Sequence, residues 1–323
     1  MVVPVLRATL FSLNRTRIER LGGTGLISLW DLSREVREGS GDPGICFEYS
    51  VHHAVAGQNP LVVALASDVL AEFCNVDGGA ESILFGPEKD GVIPVVESVR
   101  DALTDESVLL VGNRGRPPKL RRYIPQIVNA YRRNEGRNRL PRSISGVWKA
   151  DLFLGNSASE QWVATSVKIN PGLLQGAQGL RLGIYPKANA RDVPRLDRDL
   201  NLVRMPLPYD GAFMELFYKA FYLVRAFLRA DANVPAPVEL PDAEDRFIVK
   251  ELQDRREFPL VDVLHVLEGM SQPDLLETGD VEDLHVEAVL SEHNGLREAP
   301  TDLDGSDNVS LAPMVAGIQN SRG

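Results

Sequence analysis

The sequence predicts an α/β protein, with a central mixed β-sheet flanked by helices, then a helical C-terminal region and an acidic tail. Three observations predict it. Two helical patterns come early, Ile45 to Ala56 and Pro60 to Phe73. The second places Leu61, Ala64, Leu65, Val69, Leu70 and Phe73 at helical spacing. Strand-like runs then follow one another from Val147 to Leu207, separated by turn residues, and Gln161 to Ile169 among them carries β-branched Val163, Thr165, Val167 and Ile169. A long apolar helix, Ala212 to Leu228, closes the series.

Each element rests on local chemistry. Val2 to Leu10 reads as a strand-like start before the turn at Gly22, Gly23 and Gly25. Asn59 is a good cap, and Pro60 suits the first helical position. Ser82 to Phe85 reads as a strand, Gly86 to Gly91 as a turn, Val95 to Leu103 as a helix and Ser107 to Val111 as a strand. Residues 119–133 form a basic helix with Ile124, Ile127, Val128 and Tyr131 as its apolar stripe. Val147–Leu154 and Gln161–Ile169 read as two strands of a hairpin turning through Gly155 to Ser159. Gly172 to Gln178 is a short helix or loop, and Leu180 to Tyr185 and Leu202 to Leu207 are strands. The expected divisions are an N-terminal segment 1–44, an α/β core 45–210, a helical region 211–271 and a partly disordered acidic tail 272–323.

Composition narrows the class. Apolar residues make up 44% and charged residues 25%, which is ordinary for a globular protein. No run of 18 apolar residues occurs, and Ala212 to Leu228 contains Glu215, Lys219 and Arg225, so a membrane span is not expected. Met1 to Arg20 shows no clean signal pattern, because Arg7 interrupts its apolar stretch. The two cysteines, Cys46 and Cys74, lack metal-like spacing. They fit a reducing, cytoplasmic setting and exclude a thiolate zinc site.

Net charge is −10, yet its distribution is uneven. From Gly112 to Lys149 stand Arg114, Arg116, Lys119, Arg121, Arg122, Arg132, Arg133, Arg137, Arg139, Arg142 and Lys149 against one acid, Glu135. From Asp231 to Asp307 twenty-one acids face five bases. A basic segment in an acidic protein calls for an anionic partner, and guanidinium groups suit phosphate. The basic segment is therefore expected to bind nucleic acid, and the alternative is that it docks against the acidic part of the same chain.

The hairpin carries the chemistry. Side chains alternate along a strand. Val163, Thr165, Val167 and Ile169 share one face and look like core, while Trp162, Ala164, Ser166 and Lys168 share the other. With the turn near Ala158 and Ser159, Asp151 falls across from Ser166 and one pleat from Lys168.

Residues 45–186 resemble the PD-(D/E)XK nuclease superfamily, whose fold is restriction-endonuclease-like. The likeness rests on Asp151 in WKADLFLG, Lys168 in WVATSVKIN, the helices before them and the strand LRLGIYP after them. It implies Mg²⁺- or Mn²⁺-dependent cleavage of DNA in a prokaryotic restriction or defence setting. Asp151 and Lys168 would be catalytic and Asp151 a metal ligand. Where the family has a triplet acid this chain has Ser166, and a hydroxyl is a poor ligand for a hard cation. Glu48, on the first helix, is the best replacement and the second expected metal ligand. Glu81 is another candidate. Glu160 is too far along the strand, about 26 Å from Lys168 at ~3.3 Å per residue.

Carboxylates hold the cation, a lysine beside it orients water or steadies the developing charge, and the basic segment holds the backbone. The rival expectation is a catalytically inactive nucleic-acid-binding or complex-forming subunit with a nuclease-like fold. A third is an adaptor with protein partners for its basic and acidic regions, and self-association fits any of the three. Glu48 and His52 share a helix face but lack a third ligand, so they read as helix surface rather than a metal site. Phe213, Phe217, Phe221 and Phe227 read as helix core.

Overall fold

The computed structural model describes residues 1–13, 20–23, 25–36, 43–57, 59–85, 103–111, 117–123, 125–126, 144, 147, 150–176, 179–208, 212–234, 240 and 242–270. The chain divides into two compact units, one of Val3–Arg15 and Gly39–Tyr218, the other of Thr16–Glu38 and Lys219–Gly323.

The first unit opens with a helix, not a strand: α1 spans Val2–Ser12. Pro4 sits in its first turn, where a missing N–H costs nothing. Val3, Val5, Leu6, Ala8, Thr9 and Leu10 are all buried, so the helix is apolar on every side and its period is hidden. In the second unit, α2, Leu29–Glu35, begins with a capping box between Ser28 and Asp31. The two helices that the apolar periodicity indicates are α3, Pro43–Ala56, and α4, Pro60–Cys74. Asn59 caps α4 by accepting from the Val62 N–H, and Asn75 ends it in the left-handed conformation.

Among the described residues, the sheet of the first unit has seven strands. In chain order they are β1 Glu81–Leu84, β2 Val108–Leu109, β3 Leu152–Asn156, β4 Gln161–Val167, β5 Arg181–Pro186, β6 Arg195–Asp197 and β7 Leu202–Leu207. Their spatial order is β1-β3-β4-β5-β7-β6, with β2 alongside the start of β4. β1, β3 and β4 are antiparallel, β4, β5 and β7 are parallel, and β6 returns antiparallel on β7. The hairpin pairs Leu152 with Thr165 and Asn156 with Gln161. A 3-10 turn, Pro171–Leu173, lies between β4 and β5, where a short helix or loop is expected. β3 starts at Leu152 rather than Val147, because the chain turns where the Val147 N–H donates to Ile144 O and the Ala150 N–H to Val147 O.

Both faces of the hairpin are covered. Trp162 and Ala164 pack with Phe85, Leu109, Leu120 and Phe153, so the face they share with Ser166 and Lys168 is core for most of its length. Only its end, at Ser166 and Lys168, is polar. Helix α3 packs on β1 and β4, and α4 on β7. A long helix, α5, spans Ala212–Arg229. Its Phe213 and Phe217 stack edgewise on Phe47, the latter at 5.4 Å between ring centres. Phe213, Phe217, Phe221 and Phe227 are all buried, as core residues should be.

In the second unit α6, Ala243–Asp254, and α7, Leu260–Met270, follow α5. The Leu260 N–H donates to Ile27 O, and the Trp30 N–H to Arg256 O. No single described helix is long and apolar enough to cross a membrane. The expected turn Gly86–Gly91, most of the helix Val95–Leu103 and the tail from residue 272 lie outside the described residues.

Candidate active site

Parallel strands end at a common edge, and the antiparallel β3 begins there. This brings Asp151, just before β3, next to Lys168, just after β4. Asp151 is locked on both sides: its N–H donates to Thr165 O at 2.8 Å and its carbonyl accepts from Phe85 N–H at 2.9 Å. The Lys168 N–H donates to Ile184 O of β5. The backbone thus fixes both residues before any side-chain contact forms.

The side chains then meet. Lys168 Nζ donates to Asp151 Oδ2 at 2.8 Å and to Glu48 Oε1 at 2.6 Å. Asp151 Oδ2 also accepts from the Val167 N–H at 2.9 Å. Asp151 is wholly buried and Glu48 nearly so, whereas the Lys168 side chain keeps 28% of its surface open. Of the three side chains, that of Lys168 is the one most open to solvent. Burial opposes the charge on Lys168, but the Asp151 and Glu48 carboxylates outweigh it and hold its pKa above the usual lysine value. It is a cation throughout the neutral range.

Ser166 lies beneath this cluster and is buried. Its Oγ accepts a long hydrogen bond, 3.4 Å, from Nη1 of Arg181 on β5, in register with Ala164. Burial lowers the Arg181 pKa, and the Asp151 charge works the other way. Arg181 escaped the sequence reading. Its signal was present: it is the one charged residue in LRLGIYP, a strand between two others and covered on both faces. Among the described residues the cluster holds two carboxylates, Glu48 and Asp151, and two cations, Lys168 and Arg181. Among the described residues no three His, Cys, Asp or Glu side chains gather as a metal cage.

The other candidates lie elsewhere. Glu81 pairs with Gly155 at the far end of β3, and its carboxylate accepts from Ser157 N–H and Oγ–H. It braces the hairpin turn and cannot serve the site. Glu160, also at the turn, accepts from Thr104 and Ser107 hydroxyls. Of the eleven basic candidates, Lys119, Arg121 and Arg122 fall among the described residues. Lys119 pairs with Glu106 and Arg121 with Asp105. The Lys119 hydrogen bond and charge, with a smaller contribution from Arg122, hold the Glu106 pKa below its usual value. Two acids just before the basic segment thus moderate its charge. Arg114, Arg116, Arg132, Arg133, Arg137, Arg139, Arg142 and Lys149 lie outside the described residues.

His52, one turn beyond Glu48, docks α3 to the sheet through Nδ1 and Ser82 Oγ at 2.9 Å. Burial, with His53 and Arg7 adding repulsion, pushes its pKa down to about 4. Unfolded, the ring takes a proton near 6.5. Its contribution to stability is complete above pH 6.5 and is lost as the pH falls toward 4. Melting followed by circular dichroism should show that loss, on the order of 2–3 kcal/mol. His52→Gln should flatten it, and an unchanged acid limb would dismiss this role for His52.

Comparison with protein-family models, with curated proteins and with solved structures gave no match.

Proposed function

We propose that Glu48, Asp151 and Lys168 form the centre of a metal-dependent phosphodiesterase that cleaves nucleic acid, DNA in the first instance. One observation carries the reading: two carboxylates, one from a helix and one 103 residues later just before β3, converge on a single lysine nitrogen at the carboxyl end of the parallel strands of a mixed sheet. Ligands gather at such edges in α/β proteins.

The residues fit a hard divalent cation. Mg²⁺ is commonly held by one or two carboxylates together with substrate phosphate, and Glu48 and Asp151 supply two. When bound, the cation polarises the phosphoryl group and lowers the pKa of an attacking water. Asp151 would hold it without moving, because the Val167 N–H and the backbone bonds on either side fix the carboxylate. Glu48 would complete the pair from α3. Lys168, with its open surface, would keep its proton at Nζ and stabilise negative charge on a phosphate oxygen. Arg181 adds a fixed positive charge from behind.

A second reading is favoured by Ser166 and Arg181. A cluster of two carboxylates with two cations has less pull on a cation than the three-acid arrangement, so the site would grip nucleic acid without cutting it. Calorimetry with Mn²⁺ and a nuclease assay separate the two. The first reading expects the wild type to bind Mn²⁺ and cleave, with affinity reduced at least about tenfold in Asp151→Asn and in Glu48→Gln, ~1.4 kcal/mol each. The second expects no cation uptake in the wild type and uptake in Ser166→Glu, whose new carboxylate would lie beside Arg181.

A further inference from the structure

The loop that joins β5 to β6, Lys187 to Pro194, leaves the sheet at the same edge as the Glu48–Asp151–Lys168 cluster. β4 and β5 are parallel neighbours, and Lys168 follows one as Lys187 follows the other. The Lys168 N–H donates to Ile184 O on β5, and the Lys187 N–H donates to Leu207 O on β7. The two lysines therefore stand on adjacent strands at one end of the sheet.

The loop carries Lys187 and Arg191 against a single acid, Asp192. That acid is already engaged. Its Oδ1 accepts from the buried Tyr185 hydroxyl at 2.9 Å and lies 3.5 Å from Arg195 Nη1. Burial first, and this hydrogen bond second, push the Tyr185 pKa up to about 12, so the hydroxyl keeps its proton and its grip on the loop. Asn189 closes a turn within the loop: its Oδ1 accepts from the Arg191 N–H at 3.0 Å, and its carbonyl accepts from the Asp192 N–H at 3.0 Å. Arg191 is exposed and Lys187 half-buried, and neither has an ion pair among the described residues. The result is a short loop pinned at Asp192 that turns its positive charge outward. Prior ordering lowers the entropy lost on binding.

We infer that Lys187 and Arg191 form a docking point for the phosphate backbone of a nucleic acid strand that reaches the Glu48–Asp151–Lys168 site. The inference rests on the nucleic-acid reading above. It adds a binding surface on the β5 side of the site.

The test uses the full chain and a short DNA duplex in chelator, with binding followed by fluorescence anisotropy across a salt series. Lys187→Ala with Arg191→Ala should weaken binding and reduce the magnitude of the log K against log[salt] slope by about 0.9 for each phosphate no longer neutralised. Lys187→Glu with Arg191→Glu should weaken it further, while Mn²⁺ binding measured by calorimetry stays as in the wild type. If the wild type binds duplex and both double variants keep its slope, the docking point is wrong and the nuclease reading survives. If the wild type binds no duplex at any salt concentration, both are overturned. Unchanged duplex affinity together with abolished binding of an acidic peptide would also overturn it, in favour of a protein partner.

Discussion

Lys168→Met should abolish metal-dependent cleavage, a loss of at least 10²–10⁴-fold for a group that stabilises charge in the transition state. It should also lower stability at neutral pH. Removing one partner of a buried ion pair costs ~3–5 kcal/mol, and partial exposure of Lys168 places the expected loss nearer ~2–3 kcal/mol. The cause is the charge left behind, because Asp151 and Glu48 would lose the ammonium that they share. Two signs distinguish this cause from a packing defect. The deficit should shrink as the pH falls and a carboxylate takes up a proton. Mn²⁺ should raise the melting temperature of the variant more than that of the wild type, because a cation that binds only the folded chain stabilises it. A variant that cleaves normally, or melts identically with and without Mn²⁺, would remove Lys168 and its two acids from the chemistry.

Gly155→Ala should cost about 3 kcal/mol or more. A methyl group there would stand 2.0 Å from Gln161 O and 2.9 Å from Trp162 Cα. These are backbone atoms of the paired strand, so no side-chain rotation relieves the clash, and overpacking of this kind reaches or passes the usual ~1–3 kcal/mol. The hairpin must open or shift, and Asp151, four residues earlier in the chain, moves with it. Gly79→Ala is the control, since nothing lies within 4 Å of its added carbon. It should change stability by less than ~0.5 kcal/mol. Urea denaturation measures both, and equal midpoints for the two variants would show that the strands do not approach this closely.

The site was legible because its parts are set by short-range rules. The hairpin register follows from the turn, which the structure places at Ser157–Glu160 after the pair Asn156–Gln161, and that register puts Asp151 across from Ser166. The cap at Asn59 and the period of α4 follow from the same kind of local pattern. Glu48 was harder to place, because its reach to Lys168 depends on how α3 packs on β4, a tertiary fact. α1 was misread because a run apolar on all sides hides its period, and its valines argue for a strand. Pro4 was the contrary signal, since proline is rare inside a strand but accepted in the first turn of a helix. Glu81 was a candidate by residue type alone, and Glu160 was set aside for its distance along the strand. The fold assigns them to the hairpin turn, at the opposite end of the sheet from Lys168.

The pairing of Lys168 with both carboxylates gives the resting protein an internal counter-ion. An empty acidic site strains a fold by self-repulsion and depends on its metal supply. Here the Lys168 ammonium offsets part of that repulsion by pairing with both carboxylates. If the site takes a cation as proposed, the same ammonium would be a tethered competitor for it, present at constant effective concentration and unable to diffuse away. Apparent affinity would then be the intrinsic affinity reduced by the fraction of time the lysine swings clear. A phosphate group that draws the lysine toward itself raises that fraction, so substrate and cation would favour each other's entry.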